Sequence, residues 1–241
     1  VGDEDMMRYF LMMDKIAPVF GFDNENYRKL STEVETFVAD KKPGDIDAPD
    51  IREIKTMIRQ AEATIACNYI GVKPGHIHFL RLPFYETGTI EKGKLEQRDV
   101  DIVKRLLEDV KPHQIFVAGD LADPHGTHKV CTDAVLAAID ELKDESWMAD
   151  CRIWMYRGAW AEWEIDHIEM AVPISPEELR SKRNSILKHQ SQMENAPFLG
   201  NDDRLFWQRA EERNRATARL YQDLGLASYE AIEAFVEYKP L

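Results

Sequence analysis

Ile115-Phe116-Val117-Ala118 is a short apolar run with two β-branched residues, and it limits the fold more than any other segment. Its composition is that of a buried strand. The turn Gly119-Asp120-Leu121-Ala122-Asp123-Pro124-His125-Gly126-Thr127-His128 follows, and a helical stretch begins at Lys129 and runs to Leu142. A strand that turns into a helix is the unit of an open α/β sheet, and such sheets hold ligands at the carboxyl ends of their strands. The turn concentrates two imidazoles, His125 and His128, and two carboxylates, Asp120 and Asp123. The histidines are three apart, so a helix starting at Gly126 and Thr127 sets both rings on one face, where they can address one metal or one polarised oxygen. Asp120 and Asp123 can orient a ring N–H or accept a proton. The competing reading is a plain helix start, with Asp123 or Thr127 as cap and Pro124 in the turn. The position after a buried-type strand favours chemistry.

Helix and strand patterns alternate on both sides of this unit. Met6 to Val19 is helical and apolar on nearly every side, which predicts either burial on several sides, the default, or a surface that covers a partner. Asn24 to Ala39 reads as a helix, and Lys41-Lys42-Pro43-Gly44-Asp45 as a loop. From Asp50 to Tyr69, Ile51, Ile54, Met57, Ile58, Ala61 and Ile65 recur at helical spacing, and Gly71 closes the pattern. His76 to Leu82 alternates at period two and is expected to be a strand. Its His76 and His78 fit a polar strand start better than a metal site. Pro83-Phe84-Tyr85-Glu86-Thr87-Gly88 is an aromatic loop placed to line a cleft or to pack beneath the sheet. Val100, Val103, Leu106, Leu107 and Val110 mark another helix. Cys151 to Tyr156 and His167 to Val172 read as later strands, and Trp160 and Trp163 between them offer rings for a sugar face or for ordinary packing. Ser175-Pro176-Glu177-Glu178 is a capping box opening a helix that runs to Gln192. Asp202 to Leu224 is a charged helix whose interleaved arginines describe a solvated face.

Composition excludes several classes. The 241 residues are 44% hydrophobic with a net charge of -13, which suits one globular domain that repels a nucleic-acid backbone. No apolar run approaches the roughly 20 residues of a membrane span, so a cytoplasmic protein with neither nucleic-acid nor membrane partners is expected. Cys67, Cys131 and Cys151 lack metal or disulfide spacing and read as small buried hydrophobes.

The D-x-x-D-P-H-G-x-H turn, Arg59-x-x-Glu62-Ala63 before Gly71-Val72, and the H-x-S-Q at His189 to Gln192 together resemble the LmbE/PIG-L family of metal-dependent N-acetylglucosaminyl deacetylases. GDLADPHGTHKVC, LPFYETGT, YRGAWAEW and KHQSQ are similar to the carboxyl-terminal LmbE-like domain of Bacteroidetes glucosamine-6-phosphate isomerase/deaminase fusions. The resemblance spans essentially all of residues 1–241. It implies a Rossmann-like, mostly parallel α/β sheet flanked by helices, with Ile115–Ala118 as a central strand. It further implies a zinc ion, or another divalent metal, that polarises an N-acetyl carbonyl and activates water. His128 corresponds to a metal-binding histidine, His125 to the residue that stabilises the oxyanion, and Arg59 to a substrate contact. His189 and Gln192 correspond to a supporting signature.

Two departures shape the expectation. The family's H-P-D-D segment, which carries the other metal ligands and the base, has no counterpart here, and Thr127 stands where a carboxylate is usual. Asp123 is the remaining candidate base. The chain is therefore expected to be a fragment lacking the first strand and metal loop, inactive and without bound metal when isolated. Its expected partners are an amino-sugar substrate, an amino-terminal deaminase-like domain and further copies of itself. The alternative is a non-catalytic module for sugar recognition or oligomerisation attached to a deaminase.

Overall fold

The periodic helices form where the spacing places them. The computed structural model describes residues 3–42, 44–86, 92–119, 126–159, 161–193 and 203–239. They fall into two compact units, one of Val1–Arg81, Tyr85–Lys92 and Lys188–Pro197, the other of Leu82–Phe84, Gly93–Leu187 and Phe198–Leu241.

The first unit is helical: α1 (Asp3–Ile16), α2 (Glu25–Asp40) and α3 (Pro49–Tyr69). Asn24 caps α2 by accepting from the Tyr27 N–H at 2.9 Å. Met6 and Phe10 of α1 meet Val34 of α2 and Ile51 of α3 in the core. The same α3 stripe carries Lys55, only 3% exposed, whose Nζ bonds Asp3 and Asp47 at 2.8 Å each. Lys41 reaches the same two carboxylates, so two cations and two anions neutralise one another around the buried Lys55 and Asp47, with Asp3 and Lys41 partly open to solvent. Burial pushes the Asp3 carboxyl up, but Lys55 and Lys41 outweigh it and hold the group below its ordinary range.

Two expectations fail in this unit. Leu11, Met12, Met13 and Ile16 are exposed, because α1 has only one packed side. No strand forms at His76 to Leu82: Pro74–His76 is a 3-10 turn, and Arg81 takes a positive φ of 47°. Alternation favours extended backbone, but a strand also needs a ladder partner, and none pairs here among the described residues.

The second unit contains α4 (Gln97–Val110), β1 (Gln114–Ala118), α5 (Thr127–Leu142), β2 (Arg152–Tyr156), β3 (Met170–Ile174), α6 (Pro176–Ile186), α7 (Phe206–Asp223) and β4 (Ala231–Tyr238). The sheet order is β1-β2-β4-β3. β1 and β2 pair in parallel, and β4 runs antiparallel to both of its neighbours. One of these three pairs is parallel and two are antiparallel, so the sheet is mixed rather than mostly parallel, within the expected helix-flanked α/β class. β1, however, is an edge strand of this sheet and not its centre. Ile115, Val117, Ile153, Ile232 and Ala234 are buried, with Ala134, Ala138 and Ile139 of α5 in the same core. Asp99, fully buried, accepts from the Glu96 N–H that opens α4 and from the Phe84 N–H.

Ser175 and Glu178 form the expected capping box, but α6 stops at Ile186. Gln190–Gln192 is a separate 3-10 turn instead. β3 lies slightly later than expected, after a 3-10 turn at Ile165–His167. In β4 Ile232, Ala234, Val236 and Tyr238 share one apolar face, but Phe235 stands between Glu233 and Glu237 on the other and blurs the period-two pattern. The α7 arginines are not all on a solvated face. Arg213 is 8% exposed in its side chain and pairs with Glu162 and Glu233, while Arg183 of α6 holds Glu211 through two bonds of 2.5 and 2.7 Å. All three cysteines are half-buried thiols and none is fully enclosed.

Candidate functional site

At the carboxyl end of β1 the chain needs a glycine. Gly119 N–H donates to the Tyr156 carbonyl at 2.7 Å, extending the β1–β2 ladder by one residue. A Cβ there would lie 2.8 Å from the Met155 Cβ and 2.8 Å from the Trp163 ring, closer than side chains tolerate. Trp163 is fixed over this point: its indole N–H donates to the Met155 carbonyl at 3.2 Å, and the Arg157 guanidinium sits 4.2 Å from its ring centroid. Trp163 thus packs over the ends of β1 and β2 as a half-buried ring. Trp160 lies outside the described residues.

α5 starts at Thr127, with Gly126 as cap residue at φ 66° and no side-chain cap bond. Thr127 is therefore not the cap. Thr132, in the second turn, donates to the Ala118 carbonyl at 2.6 Å and ties the helix to the strand end. His128 lies in the first turn of α5, and the residue is exposed. His125, Asp123 and Asp120 lie outside the described residues.

A second polar assembly belongs to the helical unit. Arg59 of α3 donates from Nη1 to the Tyr85 hydroxyl at 3.0 Å. Its Nε is buried and has no hydrogen-bond partner among the described residues. One turn later, Glu62 is 3% exposed and accepts three bonds. Oε1 receives the Tyr9 hydroxyl at 2.8 Å and the Ser191 N–H at 2.9 Å, and Oε2 receives the Ser191 hydroxyl at 2.7 Å. These bonds hold the Gln190–Gln192 turn. Burial and the Glu62 carboxylate push the Tyr9 phenol up to about 12. His189 is half-buried; desolvation lowers its pKa, and the opposing pull of Glu62 does not restore it.

R-x-x-E and H-x-S-Q, two separate motifs in the sequence, are therefore one hydrogen-bonded assembly. The pairing had a signal. Ile51, Lys55, Ile58, Glu62 and Ala66 share the buried stripe of α3, and a carboxylate on such a stripe requires donors from elsewhere.

Among the described residues no group of three or more His, Cys, Asp or Glu side chains could hold a metal ion. His128 alone does not match the donor set a zinc ion requires, so these residues by themselves do not fit the metal. No helix among them is long and apolar enough to cross a membrane.

An open α/β sheet with a glycine-gated turn at the carboxyl end of a strand defines the class of protein. Residues 25–139, which include β1, the turn and most of α5, match the family model PIG-L, described as GlcNAc-PI de-N-acetylase. Those residues are similar to the PIG-L family. The chain is 62% identical over 246 residues to a glucosamine-6-phosphate deaminase-like protein of Bacteroides thetaiotaomicron. That match covers 100% of this chain and 37% of the relative, so the chain spans little more than a third of the relative's length. The crystal structure of GalB, the 4-carboxy-2-hydroxymuconate hydratase of Pseudomonas putida KT2440, superposes with a TM-score of 0.55 at 12% identity, covering 83% of this chain and 77% of GalB. This likeness is one of fold.

Proposed function

We propose that the chain is the N-deacetylase-type domain of a longer, cytoplasmic amino-sugar protein. One observation carries this reading: the β1–turn–α5 unit presents an exposed His128 beyond a strand's carboxyl end, within the PIG-L match. Hydrolysis of an N-acetyl amide needs a group that takes a proton from water and a donor for the developing oxyanion. In this reading Asp123 takes the first role and His125 the second. His128 is the candidate metal ligand, and Arg59 is the candidate contact to the sugar. The remaining ligands for zinc or another divalent ion belong to the longer protein, and the isolated chain is inactive.

The test compares this chain with the full-length Bacteroides relative, measuring bound zinc and acetate released from N-acetylglucosamine and its 6-phosphate. The expected outcome is acetate release by the full-length protein alone, lost by about a thousandfold when the residue equivalent to His128 becomes Ala. Turnover by the isolated chain would overturn the incomplete-site reading. A second reading, a non-catalytic sugar-recognition module, draws on Thr127, which stands where a carboxylate is expected beside the ligand. Amino-sugar binding by the metal-loaded full-length protein without acetate release would establish that reading instead.

A further inference from the structure

The segment from Arg157 to Trp163, which follows β2, has no part in the proposed reaction. It ends in Glu162 and Trp163, and both oxygens of Glu162 are engaged, in different directions. Oε1 accepts the Trp163 backbone N–H at 3.0 Å. Oε2 accepts from Arg213 Nη1 at 2.7 Å and from the Thr217 hydroxyl at 2.9 Å, both on α7. The Glu162 side chain is 16% exposed and that of Arg213 8%, so water competes weakly for these bonds, and charge strengthens the one from the guanidinium. Arg213 is held in turn by Glu233 of β4. One carboxylate therefore ties the backbone of Trp163 to a fixed point on α7.

Trp163 passes that constraint to β1. Its ring stands where a Cβ on Gly119 would come within 2.8 Å, so ring and strand end leave no room for a side chain between them. The indole N–H on the Met155 carbonyl and the Arg157 guanidinium near the ring keep it there. The residue before Gly119 is gripped from α5, where the Thr132 hydroxyl donates to the Ala118 carbonyl. His128 is one helical turn before Thr132, on the same face of α5. The end of β1 is thus held twice: by α5 at Ala118, on the face that carries His128, and by α7 at Gly119, through Glu162 and Trp163.

We propose that Glu162 is a positioning residue for the candidate site: acting through Trp163, it fixes where β1 ends and so how the strand end stands relative to His128. A carboxylate suits this role because it accepts on both oxygens at once, from an amide on one and from a cation and a hydroxyl on the other. Glutamine has one accepting oxygen and cannot serve both sides. That hydrolysis takes place at this strand end rests on the deacetylase reading, whereas the grip of Glu162 on it rests on the distances alone.

Residue-resolved hydrogen exchange and ring NMR on this chain test the proposal. Glu162→Ala removes the acceptor of the Trp163 N–H, while Arg213 keeps Glu233. The Gly119 amide, bonded to the Tyr156 carbonyl, should then exchange at least about tenfold faster relative to the other amides of the sheet, and the His128 ring resonances should move. Thr217→Val is a milder, isosteric change that removes only a hydroxyl donor to Oε2, and it decides the matter if Glu162→Ala does not fold. It should give the same pattern, with Gly119 faster by about threefold. Acceleration of Gly119 by no more than the other sheet amides would overturn the proposal, because Glu162 would then support the fold and nothing more local. A faster Gly119 with the His128 ring unmoved would overturn it too, since the strand end would be uncoupled from the site. Neither measurement involves acetate release, so a chain that proves not to belong to a deacetylase still answers the question.

Discussion

Glu62 in the helical unit and Glu233 in the sheet unit are both buried carboxylates, and their partners differ in kind. Glu233 of β4 meets Arg213 of α7 and Lys182 of α6, and Lys182 also donates to Asn214 Oδ1 at 2.7 Å. Burial pushes the Glu233 carboxyl up, but Arg213 and Lys182 more than offset it, so the group ionises below its ordinary value. Among the described residues Glu62 receives neutral donors: a phenol, an amide and a hydroxyl. The contrast separates two uses of buried polarity. The Glu233 network cancels charge and cross-links α6, α7 and β4. The Glu62 assembly, with no direct cation among the described residues, pins a distant 3-10 turn, the one that follows His189.

The largest break in this comparison should come from Arg213. Arg213→Met leaves Glu162 and Glu233 each without its guanidinium partner, and removing one member of a buried charge cluster costs about 3–5 kcal/mol. Urea unfolding of the variant against the parent measures it. A loss below about 1 kcal/mol would mean that water or Lys182 replaces the guanidinium, and the network would not be the cross-link described.

Glu62→Gln should have a smaller effect, about 2–3 kcal/mol. The amide oxygen accepts at one end, but the amide nitrogen opposes one set of donors from Ser191 or Tyr9 and leaves it unsatisfied. Pairing it with Ser191→Ala in a double-mutant cycle sharpens the contrast. A positive coupling of about 1 kcal/mol or more is expected from groups in direct contact, and additivity would show that Ser191 does not depend on Glu62.

These two assemblies also show what the sequence could and could not convey. The boundaries of α3 and the box at Ser175 were legible, because both depend on residues close in the chain. β1 and α5 were equally plain. Glu62 and Ser191 are 129 positions apart, and their pairing is a tertiary fact for which the sequence holds only the anomaly of a carboxylate on an apolar stripe. Arg213 looked solvated because interleaved charges describe a surface helix equally well, and Glu233, on a strand that alternation did not reveal, decides the matter. His76 to Leu82 failed for the opposite reason: local alternation was present and a ladder partner was not. Of the candidate site at the His125–His128 turn, His128 lies in the exposed first turn of α5, and Asp120, Asp123 and His125 lie outside the described residues.

The smallest and most selective effect should be on His189. Its pKa lies below 6.5 in the folded chain because burial disfavours the imidazolium, with Glu62 pulling the other way. The unfolded chain therefore binds more protons between the folded value and 6.5, and stability rises with pH across that interval. The contribution is complete above about 6.5 and is lost as the pH falls through the folded pKa. Glu233 acts in a lower window: its stabilisation is present above the ordinary carboxylate value of 4.5 and disappears as the pH falls through its own depressed value. Glu62→Gln removes the charge that raises the His189 pKa, so an NMR titration of the His189 ring should move further down in that variant. Arg213→Met should leave the ring titration where it is. If both variants shift it equally, the two carboxylate assemblies are not independent, and the division between a charge-cancelling network and a positioning one fails.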